Sequence, residues 1–147
     1  MKRAREQAER WYRQARYDFE QARRMLEDGV FSYAAFFAEQ AALKALKAYL
    51  LARGERAVLL HSVAALARRA AESDERFAPL VEAGRRLDRH YLTSRYPDAL
   101  PEPAIPAESY TREDAEDAVA ASAAVLRLVH QALGYPPEEA PFSSGGC

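Results

Sequence analysis

The chain has a single cysteine, and it is the last residue, Cys147. No intramolecular disulfide can form, and a thiol at a chain end has nothing to hold it for nucleophilic work. The expected compartment is reducing and cytoplasmic. No run of about 18 apolar residues is present, so no membrane span is expected. The opening stretch MKRAREQAERWYRQAR lacks an apolar core and does not read as a secretory signal. Strand alternation and Asn-Gly hairpin signals are missing. So are the patterns of dinucleotide folds, phosphate loops, zinc proteases, paired-cysteine sites and serine hydrolases. The three histidines, His61, His90 and His130, are scattered, and none has metal-ligand spacing. No metal and no other cofactor is expected.

What is present is helical periodicity. With 49% hydrophobic residues over 147 positions, the chain suffices for one domain with its own core. A first helix is expected over 3–27, with Trp11, Ala15, Phe19, Ala22 and Leu26 on its inner stripe. A second, from Ser32 as N-cap to Ala52, is apolar over most of its girth and should be central. Ser62 should cap a short third helix, and Ser73 or Asp74 should open a fourth running to Tyr91, with Pro79 in its first turns. Pro97, Pro101, Pro103 and Pro106 forbid helix in the following loop. Thr111 and Asp114 read as a capping box for a last helix that Gly134 stops. The predicted fold is all-α, an antiparallel bundle of four main helices plus one short one over 1–134, with an irregular tail over 135–147.

Charge is unevenly spread. Residues 1–24 hold eight basic against four acidic residues; residues 98–147 hold nine acidic residues against Arg112 and Arg127. Two solvated faces of opposite sign explain this, or else the amino-terminal helix offers a basic patch to a polyanion.

Two groups of side chains stand out. Gln40, Lys44 and Lys47 recur at helical spacing, with Tyr33 and Phe36 one and two turns before them. They suit a phosphate or nucleotide, or form the wet edge of a buried helix. Asp18 and Asp88 sit on largely apolar faces, where a carboxylate usually accepts hydrogen bonds. Asp88 or Asp18 is expected to pair with Arg95, with Tyr91 and Tyr96 packed beside the pair. His61 reads as a helix-start residue bonded to backbone.

Several stretches in order carry a resemblance. They are Ala15-x-x-Asp18, the run from Gly29 to Ala48 (GVFSYAAFFAEQAALKALKA), His61-Ser62, Leu87-Asp88 with Tyr91, Ser94-Arg95-Tyr96-Pro97-Asp98, and Tyr110. From about Trp11 to Leu133 the chain resembles the HEPN domain family. The resemblance implies a helical bundle that pairs as a homodimer. It also implies a minimal nucleotidyltransferase as partner, the two forming a toxin–antitoxin-like module. Some members are metal-independent RNases with an arginine and a histidine separated by four to six residues; others bind nucleotides or are non-catalytic partners. Arg85 and His90 fit the RNase spacing, as do Arg56 and His61, but about one such match arises by chance with 18 arginines and three histidines. On a helix those two positions point about 140° apart. The Arg95-Tyr96-Pro97-Asp98 loop resembles the non-RNase members.

The leading expectation is a nucleotide-binding or nucleotidyltransferase-partner protein without independent catalysis. Its site would comprise Gln40, Lys44, Lys47, Asp88, Tyr91, Arg95, Tyr96 and Asp98. The alternatives are an RNase toxin using Arg85 and His90 on RNA, and a purely structural dimerisation module.

Overall fold

The computed structural model describes residues 2–56 and 58–139. Three long helices form its frame: α1 (Lys2–Glu27), α2 (Phe31–Ala52) and, later in the chain, α7 (Arg112–Ala132). Between α2 and α7 come α3 (Val63–Ala71), α4 (Leu80–Asp88) and two single turns, α5 (His90–Thr93) and α6 (Pro106–Ser109). No strand occurs among the described residues, and none of their helices is long and apolar enough to cross a membrane.

α1 and α2 form a tight hairpin. Gly29 takes φ +79°, the left-handed conformation that ends α1, and Val30 N–H returns to the Met25 carbonyl at 2.8 Å. α2 starts one residue before the expected cap. Val30 precedes it without a side-chain hydrogen bond, and Ser32 is buried in the first turn. α2 is central, packed on α1, α3 and α7. Its alanines Ala34, Ala35, Ala38, Ala41, Ala42, Ala45 and Ala48 are all fully buried, and such small residues let neighbouring helices approach closely.

On α1 the inner stripe runs through Ala8, Tyr12, Ala15, Phe19 and Ala22. Trp11, expected inside, is 36% exposed, and Tyr12 takes the core position. The Tyr12 hydroxyl bonds His130 Nδ1 of α7 at 2.5 Å, and His130 Nε2 donates to the Pro136 carbonyl at 2.8 Å. Tyr135 stacks on Tyr12 at 5.1 Å. The start of the tail is therefore fastened to the core and forms a short 3-10 turn at Pro137–Glu139. Residues 140–147, Cys147 among them, lie outside the described residues.

The expected fourth helix is broken. Asp74 caps a 3-10 turn at Glu75–Phe77, and α4 starts only after Pro79, which lacks the N–H an inner helical turn needs. Phe77 is carried into the core against Tyr49, with ring centroids 4.6 Å apart. α3 and α4 pack so closely at Gly84 that an added Cβ would lie 2.6 Å from the Ala64 nitrogen. Thr111 and Asp114 form both halves of the expected capping box of α7.

Candidate functional site

Arg95 follows α5 by two residues, and three aromatic rings surround its guanidinium. Its Cζ lies 4.2 Å from the Phe36 centroid, 4.8 Å from Tyr91 and 4.9 Å from Tyr96. Tyr91 stands one helical turn before Arg95, Tyr96 is next in sequence, and α2 contributes Phe36. Nε and Nη2 both donate to the Tyr91 carbonyl, at 3.0 and 2.6 Å. No carboxylate lies within 4 Å of this guanidinium among the described residues. Tyr91 and Tyr96 are exposed, so the cluster opens to solvent. Such stacking holds an arginine through the attraction of a cation for ring faces.

One turn further along α2 from Phe36 lies Glu39, which is fully buried. Its Oε2 accepts from Gln40 Nε2 at 2.8 Å, and its Oε1 has no partner among the described residues. Burial pushes its carboxyl up to about 7; the Gln40 bond and the nearby Arg95 and Lys44 charges oppose the rise, and Asp88 adds to it. A carboxyl that titrates near neutrality can hold or release a proton under ordinary conditions.

Asp88 does not pair with Arg95. Its Oδ1 accepts from Val63 N–H at 2.6 Å, and its Oδ2 from Ser62 Oγ at 2.7 Å and Ala64 N–H at 3.2 Å. It joins the end of α4 to the start of α3, where free amide groups and the helix dipole favour an anion. Asp18 does not pair with Arg95 either. It is buried and accepts from Lys44 Nζ at 2.6 Å and Gln14 at 3.0 Å. The expected ion pair is thus overturned, because each carboxylate meets a nearer donor. The rings expected beside Arg95 are there, and they take the place of the carboxylate.

The expected single surface divides into two neighbouring clusters. Lys44 turns to α1, and Lys47 is buried with its ammonium 5.4 Å from the Trp11 centroid, which lowers its pKa through burial. Gln40 serves Glu39. Asp98 is exposed in the 3-10 turn Pro97–Ala99.

The RNase pair does not converge within one chain. Arg85 is exposed and pairs with Glu82 at 2.9 Å. His90 Nδ1 bonds the Tyr110 hydroxyl at 2.7 Å, and that hydroxyl meets Thr93 Oγ1 at 2.8 Å. Ser94 Oγ donates to the His90 carbonyl. Burial, helped by Arg89, lowers the His90 pKa. The cleft beside His90 is bounded by Arg89, Thr93, Tyr110 and Asp114, and Arg85 does not line it. His61 is exposed, and its ring makes no hydrogen bond among the described residues; Ser62 and Asp88, not His61, accept from the first N–H groups of α3. No three His, Cys, Asp or Glu side chains cluster as metal ligands among the described residues.

The residue that sequence reasoning passed over is Glu39. Its signal was a lone acid in the middle of the most apolar helix. Phe36 stands in the sequence beside Gln40 and the lysines, and the fold places it under Arg95.

Comparison with known proteins agrees with this arrangement of helices. A model of the HEPN domain matches residues 8–132. No curated protein matches the chain. Among solved structures, TT1696 from Thermus thermophilus is 38% identical with a TM-score of 0.79, over 85% of this chain and 97% of that one. ST0689, described as an archaeal HEPN homologue, is 32% identical with a TM-score of 0.69, over 86% of this chain and 97% of that one.

Proposed function

The chain belongs to the HEPN domain family, and on that premise we propose that it is a binding protein without independent catalysis. It offers the Arg95 cluster to a nucleotide, or to a minimal nucleotidyltransferase that carries one. In this reading it works as a homodimer and as one half of a two-gene toxin–antitoxin-like module. The observation that carries the reading is the Arg95 guanidinium, caged by Phe36, Tyr91 and Tyr96 and held by no carboxylate within 4 Å among the described residues. Its Nη1 edge remains for a phosphate oxygen, and the exposed faces of Tyr91 and Tyr96 suit a base.

Calorimetric titration with ATP, and then with a nucleotidyltransferase partner, tests it. Arg95→Ala should weaken the interaction roughly tenfold or more, as expected for a lost charge-assisted contact. Unchanged affinity in a variant that keeps its helical circular dichroism refutes the site. Absence of both interactions in the native protein would leave a structural dimerisation module. RNA cleavage in EDTA that disappears in His90→Ala would replace this reading with the RNase one.

A further inference from the structure

A second surface, whose lining does not include Arg95, runs along α1. Gln7, Arg10, Trp11, Arg13, Gln14 and Tyr17 line an open groove there, closed on the α2 side by Lys44. From Gln7 to Tyr17 the helix rises about 15 Å. Every charged residue that lines the groove is cationic. Lys44 is neutralised by Asp18 at 2.6 Å, but Arg10 has only a 3.5 Å contact to Gln7, and no carboxylate lies within 4 Å of Arg10 or Arg13 among the described residues. The groove also carries two aromatic rings that the core does not use, Trp11 at 36% and Tyr17 at 61% exposure. The Lys47 ammonium lies 5.4 Å from the Trp11 ring centroid.

From this alternation of guanidinium groups without a carboxylate partner and exposed rings we propose that the α1 groove binds single-stranded nucleic acid. Phosphates lie on Arg10 and Arg13, and bases stack on Trp11 and Tyr17, as on other surfaces that track a single strand without reading its sequence. An acidic peptide would use the two arginines and leave both rings uncovered, so the rings favour a polynucleotide.

Trp11 is the only tryptophan in the chain, so its fluorescence reports on this groove alone. The probe is a short oligothymidylate, which has no 2′-hydroxyl and cannot serve as an RNase substrate. The full chain should show saturable quenching. The log–log salt slope should be about −1.4, the value for two phosphates on a single strand. Arg10→Ala with Arg13→Ala should remove most of that slope, and Tyr17→Ala should weaken binding roughly tenfold. Arg95→Ala should leave the titration unchanged. No quenching overturns the proposal, and so does equal quenching by a poly-glutamate peptide. Binding that survives the double arginine variant but needs Arg95 overturns it too. So does a Trp11 emission shift that follows protein concentration and ignores the oligonucleotide, since a second copy would then cover the groove.

Discussion

Replacing Glu39 by glutamine should stabilise this protein at pH 8 and change little at pH 4.5. In the folded chain the carboxyl is fully buried, one oxygen is unpartnered among the described residues, and its pKa stands at about 7 against 4.5 for the free side chain. The folded state therefore holds this proton more tightly than the unfolded state does. The resulting stability is complete below pH 4.5 and is lost as pH rises through 7. A shift of that size corresponds to about 3 kcal/mol, a large share of the roughly 5–15 kcal/mol that holds a domain together. Glutamine has the shape of the protonated acid and cannot ionise, so the variant escapes the loss. Near 150 residues, 3 kcal/mol moves the melting temperature by roughly 6–12 °C. His90 acts in the opposite sense, because its lowered pKa makes stability fall as pH drops below about 6.5. Both proteins carry that term, so it cancels in their difference. Thermal and urea unfolding of both proteins from pH 4.5 to 8 measures that difference. Parallel curves across the whole range, or a variant less stable at pH 8, would refute the buried and poorly partnered carboxyl.

Gly84→Ala should destabilise the protein. A Cβ there would lie 2.6 Å from the Ala64 nitrogen and 2.7 Å from its Cα, both backbone atoms that cannot swing aside. Overpacking of about 1–3 kcal/mol outweighs the roughly 1 kcal/mol that alanine contributes to a helix interior; a rise in urea midpoint would disprove the close α3–α4 contact. Asp88→Ala removes the acceptor of three hydrogen bonds at the start of α3 and should cost about 2 kcal/mol. Urea unfolding with an unchanged m-value reads it, and a loss under about 0.5 kcal/mol would mean that Ser62 alone caps the helix.

The bundle was legible because helix formation is local. The stripe of α1, the Thr111–Asp114 box and the glycine after α1 follow from residues a few positions apart. Pro79 was visible too, but not its effect, since a proline near a helix start is compatible with either an early turn or a break. Trp11 and Tyr12 are adjacent on α1, and periodicity cannot choose between them; His130, 118 residues away, supplies the partner that draws Tyr12 inside.

The same division runs through the candidate site. Sequence put Arg95, Tyr91 and Tyr96 together, because they lie within one turn and its exit. It named Asp88 as an acceptor but not its donors, which sit at the start of α3, 24 to 26 residues earlier. By itself, then, the sequence determined the three long helices and α3, most of their caps and the family, all properties of short-range pattern and spacing; it did not give the break before α4 or the helical turns at Pro97 and Pro106. Tertiary structure alone decided which donor each buried carboxylate meets, that Phe36 covers Arg95, and that Glu39 lies where no donor among the described residues reaches its second oxygen. Burial and pairing depend on what the rest of the fold brings near, and the spacing of residues along a chain does not carry that information.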